Sequence, residues 1–397
     1  MELQREPAGD LLSSWRRGAV AVMHQAPSPR NLVLCCDGTS NQFAKDHTNV
    51  IKLCSALQKD EERQLVYYHP GIGTRSPIGT GTKVGGLAGR YAGLAFGYEL
   101  QRDIADAYVF LMNHYREGDR VFIFGFSRGA YTARVLASLL YAHGLAMRGN
   151  DALVPYGVDM LWAISKLSDQ DARRRYFDLA QQYKTTMAAM ECKPHFLGVW
   201  DTVSSVGWVG SPVAIPWTHT NPDLGIVRHA VSIDETRAFF RTNLYQPAPG
   251  QDVKEVWFPG THCDVGGGHP EAESGMSKYA LKWMADEARA AGLLIDESRL
   301  TQILGDSPAY ATPDPRAKLH SVYNLGWALC EFVPKRHWNA KLRRKGWRMN
   351  LFRRRPMPEN ACVHDVAWEI PGDYAKRRLR SDAIPLSQWS PPPPDPV

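Results

Sequence analysis

The sequence predicts an α/β fold with a mostly parallel central sheet flanked by helices. Three observations carry this. Short apolar runs alternate with stretches of helical apolar spacing across residues 31–291, the order that builds a parallel sheet covered on both faces. The runs end in turn signals such as Asp37-Gly38-Thr39 and Pro70-Gly71-Ile72-Gly73, as buried strands do. One run, RVFIF at 120–124, enters a glycine-bounded turn that opens directly onto helix-forming residues.

Taken in order, residues 31–36 (NLVLCC) read as a buried strand and 65–68 as a second. A Gly-rich stretch runs over 79–93; its first part, 79–86, lacks the Gly-Lys-Ser/Thr of a nucleotide-binding loop and reads as a flexible loop flanking the active site. Residues 98–115 place Leu100, Ile104, Ala107, Tyr108 and Leu111 at helical spacing. The 120–124 strand and a helix over 130–141 follow. Residues 142–190 are mostly helical and charged, an insertion or cap. HFLGVW (195–200) is a strand ending at Asp201, residues 229–241 read as a helix, 253–258 as a strand and 277–291 as a helix. The expected organisation is an N-terminal extension (1–30), one domain over 31–300 containing the insertion, a less regular basic C-terminal region (301–389) packed on or extending that domain, and a Pro-rich tail (390–397).

Composition narrows the class. The 397 residues are 44% hydrophobic and 22% charged, ordinary for a soluble globular enzyme. No window approaches the ~18 apolar residues of a membrane-spanning helix, and the longest apolar run before residue 30, 19–23, is too short for a signal-peptide core. The expected setting is cytoplasmic, with membrane association and non-classical export left open. Seven cysteines without a Cys-x-x-Cys pair point to reduced thiols, and no cofactor or metal is expected. The net charge of +6 is uneven: residues 335–380 hold fourteen Lys/Arg against four Asp/Glu, a local +10, which leaves −4 for the rest. Such a patch suits an anionic surface or ligand.

The turn after RVFIF is Gly125-Phe126-Ser127-Arg128-Gly129. A strand–turn–helix of this form is a nucleophile elbow: Ser127 is exposed on a strained turn, and Gly125 and Gly129 let strand and helix approach closely. The Arg128 N–H then faces a developing oxyanion at the positive end of a helix. This makes the expected fold α/β-hydrolase-like. A serine hydroxyl needs a histidine to take its proton and an acid to orient that histidine, in the chain order Ser, Asp/Glu, His at later strand ends. Asp201 and His262 meet that demand. Asp264, His269 and His229 are rivals; Asp264 suits a turn-forming carboxylate, and His229 the start of a helix.

Several segments together, LVLCCDGTSN, YYHPGIGT, GFSRGAYTAR, FLGVWDTVSSVG, HAVSIDETRAFF, WFPGTHCDVGGGH and SGMSKYALKWMADEA, resemble the DUF2235 family. This α/β-hydrolase family includes the catalytic domain of Tle1-type phospholipase effectors of type VI secretion. The resemblance spans about 30–290. It implies a triad on Ser127, Asp201 and His262, and a turn Asp37-Gly38-Thr39 beside the active site, where an N–H of Gly38 or Thr39 completes the oxyanion hole. It also implies a phospholipid acyl ester as substrate, while the large extra domain of the secreted effectors is not expected here.

Other readings compete. Asp37-Gly38-Thr39 after a strand is similar to the D-x-D-G-T motif of phosphoryl-transferring haloacid-dehalogenase enzymes, but Cys35 stands where that nucleophilic Asp would be. His262, Asp264 and His269 could form a metallohydrolase centre, which leaves the elbow unexplained. A non-catalytic binder of anionic lipid or nucleic acid could use the region from Lys335 to Arg355, where Trp338 and Trp347 interleave with cations. Trp beside Arg/Lys suits a phospholipid interface and also RNA. Nothing resembles a nucleic-acid module, so an anionic membrane is the expected partner and nucleic acid is not.

Overall fold

The alternation in the sequence becomes one eight-stranded sheet. The computed structural model describes residues 29–38, 46–71, 87–167, 169–203, 207–208, 211–212, 215–238, 240–321, 331–339 and 344–391. In chain order these form β1 (Asn31–Cys36), α1 (Asn49–Ala56), β2 (Gln64–His69), α2 (Leu87–His114), β3 (Arg120–Phe126) and α3 (Arg128–His143). Then come β4 (Leu145–Ala146), α4 (Val154–Lys166), α5 (Gln170–Met187), β5 (Ala188–Met190), β6 (Phe196–Trp200), β7 (Gly207–Trp208) and β8 (Ser211–Pro212). The remainder are β9 (Ile226–Ser232), β10 (Asp252–Phe258), α6 (His262–Gly266), α7 (Ser277–Ala290), α8 (Glu297–Ile303), β11 (Lys335–Asn339), β12 (Arg344–Arg348), β13 (Cys362–Val363), two short helices α9 (Val366–Glu369) and α10 (Tyr374–Arg378), and β14 (Ile384–Pro385).

The main sheet runs β14-β13-β10-β9-β6-β3-β1-β2, and each pairing in it is parallel. Side chains of a strand alternate between faces, so each strand feeds two cores. Leu32, Leu34, Val121 and Ile123 join one cluster with α2, α3 and α4. Val33, Cys35, Phe122 and Phe124 join the other with α1 and α7. Burial of both faces explains why these strands read as continuous apolar runs. The chain turns back across β1 after β2, so β1 and β3 flank the switch in strand order. Ligands of doubly wound sheets bind beyond the carboxyl ends of the strands at such a point.

Two expectations are corrected. Residues 229–241 are not a helix: 226–232 form β9, a central strand buried on both faces, whose apolar residues carry no periodicity to separate strand from helix. The loop expected at 79–86 lies outside the described residues, as do 1–28 and 392–397, and 87–93 of the Gly-rich stretch begin α2. The C-terminal region is more regular than expected: β13 and β14 extend the sheet and β11–β12 form an antiparallel pair. Among the described residues no helix is long and apolar enough to cross a membrane, and the described cysteines are free thiols.

Candidate active site

Ser127 sits between β3 and α3 with φ 59° and ψ −119°, a conformation that costs a non-glycine residue of order 1–3 kcal/mol and persists only where surroundings impose it. They do so here. Ser127 N–H donates to Trp200 O (3.1 Å) and Val203 N–H donates to Ser127 O (3.3 Å), which locks the turn to the end of β6. A Cβ on Gly125 would lie 2.4 Å from Gly129 O, and one on Gly129 would lie 2.2 Å from Cys36 O. Both glycines are therefore demanded by backbone contact, the second of them against the end of β1.

Asp201 follows β6 and His262 opens α6 after β10. The parallel order puts these ends on the same sheet edge as Ser127. His262 Nδ1 and Asp201 Oδ2 are 2.5 Å apart, and both side chains are buried. The imidazole is held between Phe126 and Phe240, with ring centroids at 4.5 Å and 4.7 Å. His262 N–H donates to Glu235 Oε2 (3.4 Å), and Arg237 pairs with that carboxylate (2.7 Å). Among the described residues no hydrogen bond joins Ser127 Oγ to His262; proton transfer requires them to close to about 2.6–3.2 Å when substrate is bound.

Arg355 is the residue that sequence reasoning missed. Its Nη1 donates to Asp201 Oδ1 and its Nη2 to Asp201 Oδ2 (3.1 Å), and its side chain is only 6% exposed. It was expected on a membrane-facing patch. Burial against Asp201 removes it from any such surface, whereas Arg353 and Arg354 are exposed. A run of three arginines carries no mark of which one turns inward. Burial pushes the Asp201 carboxyl up, but the Arg355 charge and the His262 hydrogen bond outweigh it and hold the group well below the usual carboxylate range. Burial lowers His262, and the Asp201 bond and charge only partly offset it.

The other candidates have different occupations. Asp37 is buried at the end of β1; its carboxylate accepts from Thr48 Oγ1 (2.8 Å) and Tyr68 OH (3.0 Å), tying β1 to the N-cap of α1 and to β2. The Gly38 N–H, expected to meet an oxyanion, is directed to Asp37 Oδ1 (2.6 Å), and Thr39 lies outside the described residues. Arg128 N is in the first turn of α3, as the elbow requires. Asp264 closes a capping box with Thr261 at the start of α6. His229 lies within β9, fully buried; its Nδ1 meets Glu255 Oε1 (2.7 Å) and its Nε2 accepts from Thr202 N–H (3.3 Å), next to Asp201.

The metal trio of the competing reading, His262, Asp264 and His269, does not assemble, since His262 turns to Asp201. His320 takes its place beside Asp264 and His269, with their ligand atoms within 4.8 Å of one another. The His269 and His320 rings are stacked, with centroids 3.5 Å apart and 18° between planes. Imidazole lone pairs lie in the ring plane, so these run side by side instead of converging on one ion. His320 is held between Asp264 Oδ1 (2.6 Å) and Glu273 Oε2 (2.7 Å), and the cluster ties the segment around residue 320 to α6. A cavity of about 310 Å³ opens beside Thr261, with Thr236, His320, Phe352 and Arg354 in its wall.

The model of the family described as the type VI secretion phospholipase effector Tle1-like catalytic domain matches residues 30–287. The chain belongs to that family. It is similar to the uncharacterized protein YEL023C of Saccharomyces cerevisiae, 34% identical over 234 residues, covering 56% of this chain and 33% of the yeast protein. The chain thus spans about a third of that relative's length. Among solved structures it is similar to an uncharacterized protein from Pseudomonas aeruginosa, with TM-score 0.41, 18% identity and coverage of 69% of this chain and 49% of that one. It is also similar to the Tle1 effector solved bound to the VgrG spike, with TM-score 0.36, 19% identity and coverage of 63% and 53%.

Proposed function

We propose that the protein is a serine hydrolase that cleaves phospholipid acyl esters through an acyl-enzyme. The observation that carries this is the convergence of Ser127, Asp201 and His262 at one sheet edge, with the His262–Asp201 pair at 2.5 Å. Ionised Asp201 can only accept, so neutral His262 keeps its proton on Nδ1 and offers the Nε2 lone pair as base. Ser127 Oγ attacks the ester carbonyl as its proton passes to Nε2. The Arg128 N–H donates to the developing oxyanion. Collapse expels the lysophospholipid alkoxide, which takes the proton from His262. Water then attacks the acyl-enzyme by the same route, releasing a fatty acid and restoring Ser127.

The lipid surface is proposed on separate grounds. Phe332, Trp347, Met349 and Leu351 are exposed around β12, beside the exposed Arg348, Arg353 and Arg354. Rings and chains that enter the head-group layer while guanidinium groups meet phosphate suit an anionic bilayer. The test is product analysis on phospholipid vesicles. The expected products are one fatty acid and one lysophospholipid per turnover, insensitive to chelators and lost in Ser127→Ala. Turnover that persists in folded Ser127→Ala, or that stops on chelation, contradicts the proposal.

A further inference from the structure

Arg355 reaches the site from outside residues 30–287, the segment that the family model matches. We propose that it is a positioning residue of the hydrolytic site: its guanidinium fixes the Asp201 carboxylate against His262 and offsets the charge that Asp201 presents to the imidazole. The inference rests on the Ser127–His262–Asp201 reading above.

Geometry comes first. The carboxylate has about four lone-pair sites. Oδ1 accepts from Ser232 N–H (2.9 Å) and Arg355 Nη1, and Oδ2 from His262 Nδ1 (2.5 Å) and Arg355 Nη2 (3.1 Å). Asp201 is thereby saturated and cannot rotate away from the imidazole. The same guanidinium donates to Ser232 Oγ (2.7 Å) at the end of β9 and twice to Phe240 O (2.9 and 3.1 Å). The Phe240 ring stands edge-on to His262 at 79°. One side chain therefore secures both the acid and a wall of the base. An ammonium cannot reproduce this, because only the planar fork of arginine meets both carboxylate oxygens.

Charge follows from the same contacts. A lone buried anion beside an imidazole favours imidazolium; a cation on the far side of that anion leaves a dipole with a weaker field. The other groups facing His262 are Glu235 and Arg237, in the loop after β9, and Cys263 and Asp264 on its own helix. Glu235 is paired with Arg237 (2.7 Å) and Asp264 is held by His320 (2.6 Å), while burial pushes the Cys263 thiol up to about 12. Of these charges, Asp201 is the one that loses its counter-ion if Arg355 is removed.

The experiment is the pH profile of kcat/KM on a water-soluble ester for wild type, R355M, R355Q and R355K, each checked for folding by circular dichroism. The wild-type acid limb should lie below the ordinary histidine value of about 6.5. R355M and R355Q should move it up by about one pH unit. R355K, which keeps the charge and loses the fork, should leave the limb in place and lower kcat about ten- to a hundredfold. An unmoved limb in the neutral variants overturns the proposal. If these do not fold, R355K decides: a lowered kcat with an unmoved limb sustains it, and a limb displaced by about one unit, or an unchanged kcat, overturns it. The parallel assay of Ser127→Ala separates the failures, since activity there sinks the triad itself, whereas an inactive Ser127→Ala with an unmoved R355M limb sinks only the role of Arg355.

Discussion

Two regions of the chain meet at Asp201 and approach it differently. Ser127, Asp201 and His262 stand just past β3, β6 and β10, parallel strands whose ladders fix the backbone that carries each side chain. The segment from Glu331 to Arg355 has no place in that sheet and is fastened by side chains. Buried Glu331 accepts from Ala238 N–H (2.5 Å), Asn350 Nδ2 (2.6 Å) and Phe352 N–H (2.8 Å), and Arg355 then clasps Asp201. On the proposed reading the sheet edge sets the order of the chemical groups, while the C-terminal segment tunes and holds them. Changes at the first should abolish turnover, and changes at the second should grade it.

The largest effect belongs to the sheet edge. His262→Ala should lower kcat/KM on a soluble ester about 10⁴-fold or more, and Asp201→Asn about 10³- to 10⁴-fold, because an amide can donate to Nδ1 and favour the wrong tautomer. A loss below tenfold in steady-state assays of either would break the comparison from its stronger side.

In the C-terminal segment, Glu331→Gln weakens three charge-assisted hydrogen bonds that set the path to Arg355. Its expected signature is kcat about tenfold lower with KM unchanged; a rise in KM alone would mean that the segment serves substrate binding. Charge reversal of the exposed pair, R353E/R354E, should weaken binding to anionic vesicles about tenfold or more at low salt and less at high salt. Flotation with no change would remove the membrane surface from the proposal.

The smallest effect concerns two buried histidines that lie outside both regions. Burial lowers both His143, at the end of α3, and His364, beside β13, to about 4. A histidine whose folded value lies below its unfolded one contributes stability above about pH 6.5 that is lost as pH falls toward 4. Among the described residues neither ring nitrogen of His143 has a hydrogen-bond partner, whereas His364 Nδ1 accepts from Val366 N–H (3.2 Å). His143→Phe should therefore raise the melting temperature by a few degrees at pH 5 and by less at pH 8. His364→Phe should gain less, since it also loses that bond. Equal shifts at the two pH values would contradict the assignment of the pH dependence to these rings.

The sheet edge was legible in the sequence because buried parallel strands write themselves as short apolar runs, and the residues that follow such runs, Asp37, Ser127, Asp201 and His262, are placed by the runs alone. The same burial hid β9: it encloses Arg228, His229 and Ser232 together with the apolar residues of the strand, so no alternation of polar and apolar positions distinguished strand from helix. β13 and β14 are two residues long and too short to carry a period. Arg355 was illegible for another reason. Its partner is 154 residues away, and three consecutive arginines read as a solvated face until the fold shows which one is enclosed. His320 joined Asp264 unseen for the same cause, a contact across 56 residues between a loop and a helix cap.

The central claim is that Ser127 is the nucleophile, and labelling with a fluorophosphonate probe, mapped by peptide mass spectrometry, tests it most directly. The account predicts one adduct, on Ser127, formed by the folded protein and suppressed by His262→Ala. A folded protein that hydrolyses phospholipid while Ser127 stays unmodified, or an adduct on another residue, would contradict it.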